Sequence, residues 1–169
     1  VSPKFSMTFG PWAETEYFLN LGRGFHSNDA RGTTIEVDPT DGVTPADPVD
    51  PLVAALGYEV GLRSAVIPRV QLAAAVWHLE LDSELVFVGD GGTTEPSRAS
   101  ERSGIEVGVF YAPRDWLLLD ADLAWTRARY TDPDPAGDRI PNAVESVASV
   151  GMTINRDAGW FGGARLRHF

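Results

Sequence analysis

Residues 71–87 read QLAAAVWHLELDSELVF (Gln71 to Phe87). Trp77, Leu79, Leu81, Leu85 and Phe87 form an apolar set at every second position, and His78, Glu80, Asp82 and Glu84 fill the gaps with titratable groups. A period of two places successive side chains on opposite faces of a strand, whereas a helix would repeat its apolar positions at three and four. Both faces of this strand are specified: one greasy, the other ionisable.

The same alternation recurs along the chain. Phe5, Met7 and Phe9 alternate with Lys4, Ser6 and Thr8; Leu56, Tyr58, Val60 and Leu62 with Gly57, Glu59, Gly61 and Arg63. Further on, Ile105, Val107, Val109 and Tyr111 are spaced by Gly104, Glu106 and Gly108, and Leu117 to Trp125 by Asp120 and Asp122. The pattern predicts eight strands, over 3–11, 16–26, 52–67, 71–88, 102–113, 116–131, 144–155 and 159–169. Short links with Pro, Gly or Asp turn chemistry ("PWAET", "PRV", "PRDW", "NRDAGW") alternate with long polar links near 27–51, 89–101 and 132–143. The expected fold class is all-β, an antiparallel up-and-down meander of about eight long strands.

Composition narrows the function. The 169 residues carry 24 Asp plus Glu against 14 Lys plus Arg, a sign that argues against nucleic acid as a partner. There is no cysteine, so disulfides and thiolate metal sites are excluded. No apolar run reaches the ~18 residues of a membrane helix. The opening "VSPKFSMTFG" is neither a Met start nor a signal peptide, so the expectation is a processed precursor or an excised piece.

An antiparallel sheet with one wet face also alternates. Three features favour a transmembrane barrel. The predicted strands are far longer than the ~5–6 residues usual in soluble sheets. One face is rich in Gly and small residues. Aromatic residues (Trp12, Tyr17, Trp116, Trp125, Tyr130, Trp160) cluster near strand ends, where membrane girdles belong. On this reading Trp77, Leu79 and Leu81 meet lipid, and the lumen-facing polar ladder is His78, Glu80, Asp82 and Glu84 with Glu59, Arg63, Glu106, Asp120 and Asp122.

The ordered segments "NLGRGFHSNDARGTT" (Asn20 to Thr34), "LELDSELVFVGDGGTTEPSRASERSGIEV" and "DPAGDRIPNAVESVAS" resemble the barrel of TonB-dependent outer-membrane receptors. The resemblance runs over nearly the whole chain. It implies a bacterial outer-membrane location and uptake of a scarce nutrient such as a siderophore or metal chelate. The implied partners are TonB, a plug domain, a small nutrient ligand, outer-membrane lipid and lipopolysaccharide. Family barrels have ~22 strands around a plug, and neither plug nor TonB box is read here. The expectation is therefore an internal piece of a receptor barrel, not transport-competent alone, able to self-associate through open edge strands. A self-contained eight-stranded outer-membrane barrel and a soluble β-sandwich binding module are the rival readings.

His26, Arg31, Arg98, Arg102 and Arg139 are the candidate external-loop contacts for an anionic chelate or lipopolysaccharide phosphates. The acidic loop holding Glu36, Asp38, Asp41, Asp47 and Asp50 lacks the ligand spacing of a calcium loop, so no metal site or cofactor is assigned. For catalysis, none of the three histidines (His26, His78, His168) sits in a Gly-x-Ser-x-Gly or His-Glu-x-x-His context, and "GDGG" (Gly89 to Gly92) reads as a turn. No enzyme is expected.

Overall fold

The computed structural model describes residues 1–169 apart from 29, 39, 40, 47, 84, 89–92, 97, 134, 136, 141, 157 and 158; of residues 31, 85–88 and 93–96 it describes the backbone. In chain order the strands are β1 (Lys4–Trp12), β2 (Thr15–Ser27), β3 (Leu52–Ser64), β4 (Val70–Leu81), β5 (Leu85–Val88), β6 (Thr93–Pro96), β7 (Ser100–Arg114), β8 (Leu117–Tyr130), β9 (Ser146–Asn155) and β10 (Phe161–His168). One helical turn, α1 (Ala30–Thr33), lies in the link between β2 and β3.

Eight strands form one antiparallel sheet in the order β1-β2-β3-β4-β7-β8-β9-β10, and β5 and β6 form a separate two-stranded ribbon. Apart from that ribbon each strand pairs with its neighbour in sequence, so the meander stands as expected. Short turns gather at one end of the sheet and the long links at the other.

The expected strand 71–88 is corrected. β4 stops at Leu81, the Asp82 N–H donates to the Ala54 carbonyl, and Leu85–Val88 pairs with Thr93–Pro96 instead. Asp and Ser at 82 and 83 favour local turn hydrogen bonds. The alternation runs straight through the break because the next segment is itself a strand.

No second sheet packs across either face of this one among the described residues. Among the residues whose side chains are described, the buried apolar ones with a side chain beyond Gly are Val53, Leu81, Ala128 and Ile140, gathered with buried Ser100 near the long-link end. The accessible surface is 11878 Å², whereas a folded soluble chain of this mass exposes about 8,100 Å². That excess overturns the soluble sandwich, whose core would lie between two sheets. Nor is the sheet closed into an eight-stranded barrel: β1 pairs only with β2, and β10 only with β9.

Candidate functional site

The register sorts side chains onto two faces. One rung runs Met7, Leu19, Val60, Val76, Ile105 and Trp125; the next runs Phe9, Tyr17, Leu62, Ala74, Val107, Leu123 and Ala148. These apolar side chains stand in the open: Val60 and Val76 are each 55% exposed and Leu123 50%. Exposed apolar faces of this extent mark membrane or protein contact, and the alternation matches that of the lipid face of a membrane barrel.

The apolar stretch also drifts across the sheet. On β2 it runs from Tyr17 to Phe25, interrupted at Arg23; on β8 from Leu117 to Trp125; on β9 from Ala148 to Ile154. Tyr17, at the inner end of its stretch, is in register through Leu62, Ala74, Val107 and Leu123 with Ala148, at the outer end of its own. The drift is roughly seven residues of ~3.4 Å over five strand spacings of ~4.8 Å, which corresponds to strands inclined by about 45° to the belt. Strands of membrane barrels lean by ~35–45°. Aromatic residues mark the belt's inner edge, where the Trp12 and Tyr17 rings lie 6.2 Å apart and the Arg156 guanidinium sits 4.6 Å from the Trp116 ring.

The opposite face is polar and grooved. Glu59, Arg63, Glu106, Asp120 and Asp122 all lie on it. Its large side chains rest on glycines of the adjoining strand. The Trp77 indole covers Gly104, where an added Cβ would come within 2.5 Å of the ring, and Trp77 Nε1 donates to Glu106 Oε1 at 3.1 Å. The Asp120 carboxylate covers Gly151 in the same way. Arg165 on β10 pairs with Asp120 and, at 3.5 Å, with Asp122; Ser149 Oγ donates to Asp122 Oδ2 at 3.0 Å. The Arg63 guanidinium lies 5.2 Å from the Phe18 ring.

The ladder expected around His78 is corrected. His78 is the register partner of Tyr58, and Glu80 of Leu56, which puts both on the apolar face; Trp77 and Leu79 share the polar face with Glu59 and Arg102. The apolar set on β4 changes parity: Leu72, Ala74 and Val76 meet the belt, and beyond Val76 the strand has left it. There His78 Nδ1 lies 2.7 Å from Ser103 Oγ, its Nε2 3.3 Å from Glu80 Oε1, and its ring stacks on Tyr58 at 4.9 Å. Asp82 follows the end of β4, and Glu84 lies outside the described residues.

The candidate loop contacts do not form one group. His26 is within β2, opposite Val53, and Arg102 is within β7, so neither is a loop residue; both are on the polar face toward its long-link end. Arg98, just before β7, lies 4.2 Å from the Tyr130 ring, with its Nη2 donating to the Gly137 carbonyl at 2.8 Å. Arg139 donates to Glu145 at 2.9 Å. That hydrogen bond, with the charges of Arg139 and Arg129, holds the Glu145 carboxyl below its ordinary value. Arg31 lies in α1, and only its backbone is described.

In the acidic loop, Asp41 Oδ1 accepts the Val43 and Thr44 N–H groups at 2.9 Å each and its Oδ2 accepts the Thr44 hydroxyl. These bonds, the Thr44 hydroxyl first, lower its pKa to about 2. Asp41 therefore closes its own turn. Asp47 lies outside the described residues, and among the described residues no His, Asp or Glu cluster has the grouping of a metal site.

Sequence reasoning missed Ser103 as the partner of His78 and Arg165 as the partner of Asp120 and Asp122. Serine and arginine at those positions carry no periodic signal of their own, and only the cross-strand register reveals them.

A family model described as TonB dependent receptor-like, beta-barrel, matches residues 1–169. No curated protein matches the chain. Among solved structures, the copper transporter OprC superposes with a TM-score of 0.66 at 18% identity, over 90% of this chain and 23% of that one. The ferric-catecholate import receptor Fiu from E. coli K12 gives 0.64 at 14%, over 89% and 22%. The FrpB iron transporter from Neisseria meningitidis gives 0.68 at 14%, over 98% and 26%. The chain thus spans about a quarter of the length of each, and the likeness at these identities is one of fold. A family match over every residue, on a sheet with one lipid-compatible face and one polar face, assigns the chain to the β-barrel of the TonB-dependent receptor family.

Proposed function

We propose that this chain forms part of the barrel wall of a bacterial outer-membrane receptor that takes up a scarce nutrient, such as a siderophore or metal chelate, with energy supplied through TonB. The observation that carries the reading is the oblique belt of exposed apolar side chains opposite a grooved polar face. Family membership implies the outer membrane, and the similar structures are a copper transporter, a ferric-catecholate import receptor and an iron transporter.

In this arrangement Glu59, Arg63, Glu106, Asp120 and Asp122 face the interior and the plug domain, and the short turns face the periplasm. His26 and Arg102 lie near the external mouth, and Arg31, Arg98 and Arg139 belong to the long links that meet the nutrient and lipopolysaccharide. β1 and β10 each keep an unpaired edge, and an edge inside a bilayer must be satisfied. The remaining strands of the receptor satisfy both, and a second copy does so when the chain is isolated. Alone, the chain does not transport.

The chain has no cysteine, so single-cysteine variants made in it, in a full-length receptor whose other cysteines, if any, are replaced by serine, give the test in vesicles. Bimane at Val60→Cys, Val107→Cys or Leu123→Cys is expected to be quenched by brominated lipid, and at Glu59→Cys or Ala124→Cys by aqueous iodide. Iodide quenching of both sets would remove the membrane-wall reading. The uptake reading is checked by growth on a ferric chelate as sole iron source, before and after deletion of the gene; unchanged growth on a panel of ferric and cupric chelates would sink it.

A further inference from the structure

At the outer margin of the apolar face runs one rung of polar side chains. Tyr58, His78, Ser103 and Arg127 are successive register partners on β3, β4, β7 and β8. Ser103 Oγ is 2.7 Å from His78 Nδ1, and the other ring nitrogen is 3.3 Å from Glu80 Oε1. Hydroxyl, imidazole and carboxylate thus stand in the order that nucleophilic catalysis needs: a nucleophile within reach of a base, and the base held by a third group. With Glu80 on its Nε2 side, the imidazole tautomer that carries its proton on Nε2 turns the Nδ1 lone pair toward Ser103, and this is the tautomer the chemistry needs. Tyr58 stacks on the ring, and the His78 side chain is only 17% exposed.

Arg127 is the register partner of Ser103 on the side away from His78, so a flexible cation is tethered on the neighbouring strand of the same face, the kind of charge that stabilises an oxyanion. The adjacent rung of the belt is Val76, Ile105 and Trp125, a bed for an alkyl chain. Glu80 and Glu101 are direct register partners on this face, an arrangement that costs stability and that a purely structural wall does not require.

We propose that Ser103, His78 and Glu80 form an acyl-ester hydrolase site on the outward face, acting on the fatty-acyl ester of a bilayer lipid. The proposal rests on the reading that this face meets lipid. Ser103 Oγ attacks the ester carbonyl carbon as its proton passes to His78 Nδ1, and the oxyanion forms beside Arg127. The carbon–oxygen bond to the lipid alcohol breaks, and the leaving oxygen takes the proton back from Nδ1. Water then attacks the acyl-serine and gives a proton to Nδ1. Collapse frees the fatty acid and returns that proton to Oγ, so ester and water yield acid and alcohol.

The test treats the full-length protein in detergent with a serine-reactive fluorophosphonate and maps the adduct by mass spectrometry. It then measures fatty-acid release from phosphatidylethanolamine vesicles. The expected results are an adduct on Ser103 and a release that falls at least a hundredfold in Ser103→Ala and His78→Gln. Labelling of the unsubstituted protein needs no variant to fold. An unlabelled Ser103 in a protein that passes the cysteine scan overturns the hydrolase and leaves the receptor reading standing. Release that persists in Ser103→Ala also overturns it. Iodide quenching on both faces, with no adduct, removes both readings.

Discussion

Arg165 on the edge strand β10 reaches over β9 to the buried carboxylate of Asp120 on β8, and the same guanidinium faces Asp122 and Ser149. The Asp120 side chain is 4% exposed and that of Arg165 39%, so one partner has lost its water and the other has kept much of it. Removing the cation leaves a desolvated negative charge, which costs more than the intact pair contributes. Arg165→Ala is expected to destabilise the fold by about 1–3 kcal/mol, between the values for exposed and buried pairs. Adding Asp120→Asn should recover much of the loss. Urea unfolding in micelles measures both, and additive losses in the double variant would refute the coupling.

Gly104 is the floor beneath Trp77. A methyl there would lie 2.5 Å from the indole, which must then lift and stretch the 3.1 Å hydrogen bond to Glu106. Gly104→Ala is therefore expected to cost about 1–3 kcal/mol, as overpacking does. The Trp77 emission shift on Gly104→Ala, isolated by comparison with Trp77→Phe backgrounds, reports the lifting.

The β1–β2 turn places Ala13 and Glu14 at φ of 47° and 56° between the paired residues Trp12 and Thr15. Side chains with a Cβ pay for this left-handed conformation, and two-residue hairpins of this kind prefer Asn-Gly. Replacing Ala13-Glu14 by Asn-Gly should stabilise the hairpin by about 1 kcal/mol, visible as a higher urea midpoint with an unchanged slope.

Asp41 makes the long link between β2 and β3 pH-sensitive. Its folded pKa, about 2, lies below the ordinary value of 3.8, so its contribution is present in full above that ordinary value and is lost as the pH falls through about 2. Amide protection of Val43 and Thr44 should hold from pH 7 to about 4 and then decline. In Asp41→Asn, which cannot supply a carboxylate, protection should be lower throughout and flat with pH.

Much of the fold was legible because a period of two sustained over strands of 8 to 15 residues has no helical reading. The eight strands of the sheet and both kinds of link follow from it. Which face of β4 meets lipid did not, because both parities carry apolar residues there: Leu72, Ala74 and Val76 on one, Trp77, Leu79 and Leu81 on the other. Bulk alone favours the second set. The register shows that Trp77 instead finds its room over Gly104, a contact between strands that no local pattern records. His78, Ser103 and Glu80 were illegible for the same reason, since 25 positions separate His78 from Ser103.

The two-faced reading is sharpest on β8, where the same residue type can be compared on both sides. Ala121 lies at the middle of the apolar stretch Leu117–Trp125, in register with Val109 and Val150; Ala124 lies on the polar face, opposite Glu106 and Val147. Arginine at either site changes strand propensity and side-chain entropy alike, so the difference between the two variants isolates the surroundings. At the centre of a lipid-facing belt an arginine costs ~2–4 kcal/mol, whereas across from Glu106 it gains a counter-charge in a wetted groove. Ala121→Arg should therefore unfold at markedly lower urea than Ala124→Arg in vesicles, and the gap should shrink in bilayers with shorter acyl chains, where position 121 lies closer to the headgroups. Equal costs for the two, in any bilayer, would mean that neither face meets hydrocarbon.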